Sequence, residues 1–165
     1  MVTGAKLFSE AVVTQGAYAQ TTPAYGHERR GAPVSADVFA ADKPIKPKCF
    51  VFEPDIVVLF GTGVLAHGVD VMKNTHADTL FIVNAEAVNP SLPFAGRKVF
   101  SVDALGIALE VTGNDVPNAP MLGAMAAAGL VDLDAVTATI LKKFGAKGPV
   151  NADAARRAYA ETRSH

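Results

Sequence analysis

Two kinds of apolar spacing divide the chain. From Ile56 to Phe60, and again from Leu80 to Val83, every position is apolar, as in strands covered on both faces of a sheet. Between them Val64, Leu65, Gly68, Val69 and Met72 fall at helical spacing, with Thr62 where an N-cap would stand. Strand, helix, strand at this separation predicts a crossover unit of a parallel sheet. Lys98 to Val102 predicts a further strand, and Asp103 caps a helix that reaches Val111.

The flanking segments follow other periods. Leu7, Phe8, Ala11 and Val12 share one face of a helix over Thr3 to Gln15, which Gly16 ends. Tyr18 to Thr22 suits a short strand. Val34, Ala36, Val38 and Ala40 alternate with Ser35, Asp37 and Phe39, the period of a strand with unlike faces. After the turn at Asp42-Lys43-Pro44, Ile45 to Phe52 predicts an irregular second strand interrupted by Pro47. Pro120 to Leu130 is a helix of small residues, with Gly123, Ala124, Ala127 and Ala128 permitting close approach. Leu133, Val136, Ile140 and Phe144 form the next helical stripe, capped by Asp132 and ended by Gly145. Asn151 caps a last Ala-rich helix. No repeat or linker interrupts this order, so residues 1–165 are expected to form a single α/β domain.

Composition narrows the function classes. Half the residues are apolar, 19% are charged and the net charge is −1. That excludes a disordered chain and leaves no broad charge footprint for nucleic acid or an acidic membrane. No apolar run reaches the length of a membrane span, and the amino terminus has no signal-peptide pattern, so a cytoplasmic protein is expected. Cys49 is the only cysteine, too few for an intrachain disulfide or a cysteine-ligated iron–sulfur cluster. Its apolar, strand-like context predicts an inert thiol. His27, His67, His76 and His165 are scattered and fit surface or capping roles better than a metal site. Gly61-Thr62-Gly63 follows a strand but lacks the later glycine of a dinucleotide fingerprint and the ending of a P-loop, so it reads as a plain strand-to-helix turn.

One stretch stands apart. Pro23-Ala-Tyr-Gly-His-Glu-Arg-Arg-Gly-Ala-Pro33 sets Glu28, Arg29 and Arg30 between Gly26 and Gly31, with prolines at both ends. Such a segment predicts a shaped loop presenting two guanidiniums suited to carboxylate or phosphate. A solvated charged loop is the plainer reading of the same residues.

Tyr25-Gly26-x-Glu28-Arg29-x-Gly31-x-Pro33 resembles the signature of the gamma subunit, or gamma domain, of the 2-oxoacid:ferredoxin oxidoreductases. Lys6-Leu7-Phe8-Ser9-Glu10-Ala11 is similar to that family's first helix, and Glu53-Pro54-Asp55 to the lead into its next core strand. Asn118-x-x-Met121-Leu122-Gly123-Ala124 is similar to its late helix, so the likeness runs over nearly the whole chain. The resemblance is strongest to the pyruvate enzymes. It implies a Rossmann-like three-layer α/β domain with a mostly parallel sheet, from which the family's first strand and Gly-rich loop are missing at the amino end. An upstream apolar strand and Gly-rich turn are expected in the reading frame before Met1.

The resemblance also implies a division of labour. The family oxidatively decarboxylates a 2-oxoacid on thiamine diphosphate with magnesium, passes electrons through [4Fe–4S] clusters to ferredoxin, and hands the acyl group to coenzyme A. This chain lacks the family's thiamine diphosphate motif, so none of these cofactors is expected on the chain alone and no residue is expected to be catalytic or a metal ligand. Alpha, beta and delta-type subunits would be its partners. Thr3, Gly4 and Lys6 lie where the family's Gly-rich loop ends and are the candidates for coenzyme A contact. Tyr25, Gly26, Glu28, Arg29, Arg30 and Gly31 are the candidates for an interface. The competing readings are the small subunit of an indolepyruvate or 2-oxoglutarate enzyme of the same superfamily, or a nucleotide-binding or assembly module with no reaction of its own.

Overall fold

Helix α1 spans Val2–Thr14 and buries Leu7, Ala11 and Val12, three of the four residues of the apolar stripe. It stops because Gly16 adopts φ +94°, which lets the amides of Gly16 and Ala17 bond back to Val13 and Val12. The computed structural model describes residues 1–24, 33–46 and 49–165. The loop candidates Tyr25, Gly26, Glu28, Arg29, Arg30 and Gly31 lie outside the described residues.

Strands β1 (Tyr18–Ala24) and β2 (Ser35–Ala41) form an antiparallel pair separate from the main sheet. A hydrogen bond between the hydroxyls of Ser9 and Thr21 fixes one face of this pair on α1. The strand expected over Ile45 to Phe52 is absent among its described residues. Instead the Val51 amide donates to the Asp37 carboxylate at 2.9 Å, so a side chain of β2 takes the bond that a neighbouring strand would have accepted. Cys49 is exposed, not held in an apolar strand.

The main sheet runs β3 (Ile56–Leu59), β4 (Leu80–Asn84), β5 (Val99–Val102) and β6 (Arg163–Ser164) in that spatial order. The first three are parallel, and β6 pairs antiparallel with β5. Among the described residues no strand precedes α1, and none pairs with the outer side of β3.

Among the described residues, α3 (Asn118–Ala127) lies directly on one face of the sheet, against β4 and β5. α2 (Ala104–Thr112), α4 (Leu133–Phe144) and α5 (Gly148–Glu161) pack with α1 around α3, in one apolar cluster with Leu80, Ile82 and Val102. The alternate residues Phe81, Val83 and Val99 meet Leu59, Val71 and Phe94 on the other face, where the Phe81 and Phe94 rings stack with centroids 5.0 Å apart. That third layer is built from turns. The crossover between β3 and β4 is a 3-10 turn over Thr62–His67 followed by further turns, not the expected α-helix. Gly63 inside the expected helix weakens it by about 1 kcal/mol relative to Ala, Gly68 ends the turn at φ +73°, and no residue of the turn is fully buried to offset the loss.

The caps also differ from expectation. Asp103 does cap α2, its carboxylate accepting from Gly106 N at 2.8 Å. Neither Thr62 nor Asp132 makes a side-chain cap bond. Asn151 lies inside α5, which starts at Gly148 because Pro149 suits the first turn, and its amide donates back to Lys147 O.

Candidate functional site

Asn84 closes β4 and joins three elements with one side chain. Its amide donates to the Phe60 carbonyl at 3.0 Å, just beyond β3, and its oxygen accepts from Leu105 N at 3.2 Å, in the first turn of α2. Phe60 in turn packs against Gly4 in the first turn of α1. A Cβ on Gly4 would stand 2.7 Å from Phe60 Cζ and 3.2 Å from Oδ1 of Asn118, the first residue of α3. The starts of α1, α2 and α3 therefore gather at the carboxyl edge of the parallel strands, beside the Gly61-Thr62-Gly63 turn. Open α/β sheets take their ligands at this edge.

Helix starts bring unpaired N–H groups and partial positive charge, which favours an anion. Those of α2 are largely engaged, by the Asp103 cap and by Asn84. Among the described residues, no side chain caps the first turn of α1 or α3.

Of the three candidates for coenzyme A contact, Thr3 and Lys6 are exposed on α1, while Gly4 is buried under Phe60 and Asn118. The space at Gly4 is thus already filled by its neighbours, and the accessible chemistry is the Thr3 hydroxyl, the Lys6 ammonium and the backbone. Reasoning from sequence did not single out Asn84 or Phe60. A polar residue ending an otherwise apolar strand at this edge was the available signal.

The other polar candidates lie apart from this edge. His76 Nε2 stands 3.4 Å from the Asp55 carboxylate, a partner distant in sequence, and its carbonyl accepts from Arg97 Nη1 at 2.9 Å. His165 Nε2 lies 2.9 Å from the buried Ser101 hydroxyl. Among the described residues no three His, Cys, Asp or Glu side chains converge as metal ligands would. The Arg157 guanidinium is held above its ordinary pKa by its hydrogen bond to Glu161, then by that to Glu110, which staples α5 to α2 at the surface. No helix among the described residues is long and apolar enough to cross a membrane.

Residues 1–161 match the family model described as pyruvate ferredoxin/flavodoxin oxidoreductase. The chain is 41% identical over 167 residues to the pyruvate/ketoisovalerate oxidoreductases common subunit gamma of Pyrococcus abyssi, covering 98% of this chain and 90% of that one. It is 40% identical over 164 residues to the pyruvate synthase subunit PorC of Methanothermobacter thermautotrophicus, covering 97% and 88%. Among solved structures, subunit PORC of the Thermotoga maritima pyruvate oxidoreductase superposes with a TM-score of 0.81 at 29% identity, over 98% of this chain and 89% of that one. A gamma subunit of a keto/oxoacid ferredoxin oxidoreductase from Geobacter sulfurreducens shares the fold, with a TM-score of 0.75 at 20% identity over 98% and 90% of the two chains. On the match over nearly its whole length, the chain belongs to the pyruvate ferredoxin/flavodoxin oxidoreductase family.

Proposed function

We infer that this chain is the gamma subunit of a multi-subunit pyruvate:ferredoxin oxidoreductase, a complex that converts pyruvate and coenzyme A to acetyl-CoA and passes the electrons to ferredoxin. The near-full-length identity of about 40% to chains named as gamma or PorC subunits of pyruvate enzymes carries this reading. Thiamine diphosphate, magnesium and the iron–sulfur clusters belong to the alpha, beta and delta-type partners. The single cysteine here is too few to ligate a cluster.

The edge where α1 and α3 begin is this chain's contribution to coenzyme A. The chemistry fits: uncapped helix starts with an exposed hydroxyl and an exposed ammonium suit the phosphates of that substrate. Thr3 and Lys6 hold and orient, and Gly4 and Phe60 set the height of the α1 start. The Arg29–Arg30 loop is the proposed contact to a neighbouring subunit.

A second reading rests on one observation. Four of the similar chains, from Pyrococcus and Thermococcus species, are named as subunits common to pyruvate and ketoisovalerate oxidoreductases. A chain without the thiamine centre can serve two such enzymes alike.

Anaerobic affinity purification of the native protein tests both. Co-purified thiamine-binding and cluster-binding chains, with pyruvate- and coenzyme A-dependent reduction of a viologen dye, are expected. Recovery without partners, or a complex inactive on pyruvate but active on another 2-oxoacid, would overturn the pyruvate reading. Activity on both pyruvate and ketoisovalerate, through two sets of partners, would favour the shared subunit.

A further inference from the structure

The β1–β2 pair has two unlike faces. Cross-strand partners share a face, so Thr21 and Val38 lie on the side fixed to α1 through Ser9. Thr22 and Asp37, Gln20 and Phe39, and Tyr18 and Ala41 then form the opposite side. Among the described residues the helix packed on this pair is α1, and the segment bound to the opposite side is the one anchored by Val51 N on Asp37. That segment carries the two most exposed large apolar side chains of the structure, Phe50 at 63% and Phe52 at 74%, with Tyr18 at 45% on the strand beside it.

We propose that this outer face, centred on Phe50 and Phe52, is the seat of another subunit of the oxidoreductase complex; the proposal rests on the gamma-subunit reading above. α1 covers one face of the pair, so the face under the Phe50–Phe52 segment is the one with no helix on it among the described residues. Two phenyl rings one residue apart, held by a backbone bond to a carboxylate, are anchors of the kind that fill pockets at interface centres. The area decides against a second copy of this chain as occupant. At about 150–250 Å² for a buried aromatic side chain, the exposed parts of the two rings offer on the order of 200–350 Å², against about 800 Å² per partner in a stable pairwise interface. Such a patch fits one contact among several in an assembly that holds the chain elsewhere too. The partner surface that fits this face is an apolar cleft able to take the two rings.

Cys49, exposed, unpaired and next to Phe50, is a built-in probe of this face. The first measurement is its alkylation rate by a charged maleimide, in the full chain alone and in the purified complex. At least a tenfold slowing in the complex is expected, and an unchanged rate would overturn the proposal. The second is the Phe50→Ser/Phe52→Ser double variant. It is expected to keep the melting temperature of the isolated chain while its retention by the partners in pull-down falls at least tenfold. Normal retention, or a large loss of melting temperature, would show the rings to be dispensable or internal. Concentration-dependent dimerisation of the wild-type chain, abolished in the double variant, would assign the face to a second copy instead. A wild-type chain that recovers no partner subunits sinks the gamma-subunit reading itself. Assembly with Cys49 still fully reactive sinks only this inference.

Discussion

At the scale of single residues, glycine identity separates packing from conformation. Gly123 sits where α3 crosses α5, and a Cβ there would overlap the backbone carbonyl of Ala155. Backbone in two packed helices has nowhere to move, so Gly123→Ala is expected to destabilise by roughly 1–3 kcal/mol, or more if the helices must separate. At Gly4 the tightest neighbour is the end of the Phe60 ring, which can swing. Gly4→Ala should therefore cost less than Gly123→Ala while disturbing the carboxyl edge. Urea denaturation of the two variants checks the order, and a Gly123→Ala protein as stable as wild type would refute the close crossing. The small-residue motif at Asn118 to Ala124 was legible in the sequence as a close-packing helix. Which helix it approaches was not, because Ala155 lies over thirty residues away in a segment whose own pattern is only Ala-rich. Asn84 was missed for a related reason: both its partners are backbone groups, one just beyond β3 and one in the first turn of α2, and backbone groups leave no trace in sequence.

At the scale of elements, the apolar runs predicted β3 and β4: Leu80 to Val83 is buried throughout, while β3 at the sheet's edge buries only Leu59 fully. Polar termini were harder to read. Asp103 and Asp132 both precede helices, yet only Asp103 bonds a first-turn amide. Asp103→Ala is expected to cost about 1 kcal/mol and Asp132→Ala no more than about 0.5 kcal/mol in thermal denaturation. Equal losses would contradict this cap geometry. β6 was invisible in sequence because Arg163 and Ser164 have neither apolar spacing nor strand propensity. They pair with Phe100 and Ser101 through the backbone, and His165 adds its amide to Val99 O and its ring to the Ser101 hydroxyl. Removing residues 163–165 strips these bonds from the edge of β5. At about 0.5–1.5 kcal/mol for each net hydrogen bond, a loss of about 2–4 kcal/mol is expected. Self-association should follow at the exposed edge, readable by light scattering. A truncated chain with wild-type stability would show that β6 is an ornament of the sheet rather than its guard.

At the scale of the whole molecule, the chain is divided between a helix-backed sheet that presents a carboxyl edge and a two-stranded arm that presents a face. Neither half carries a convergent set of metal ligands among the described residues. If the edge holds coenzyme A, the effect of altering it must appear in one substrate and not the other. Lys6 is exposed on α1 and makes no ion pair among the described residues, so its removal should leave the fold intact. In the assembled complex, Lys6→Ala and Thr3→Ala are each expected to raise the KM for coenzyme A. The rise should be about 5- to 30-fold, the loss of one charge-assisted hydrogen bond worth roughly 1–2 kcal/mol. The KM for pyruvate should stay unchanged if, as proposed, the thiamine centre lies on partner chains. Lys6→Arg should restore most of the coenzyme A affinity by returning the charge, and the effect of Lys6→Ala should weaken as salt rises, because a phosphate contact at an open edge is screened. An equal rise in both KM values would point to a loosened complex, and no rise in either would remove Thr3 and Lys6 from the coenzyme A site and leave the bracing role as the chain's whole contribution.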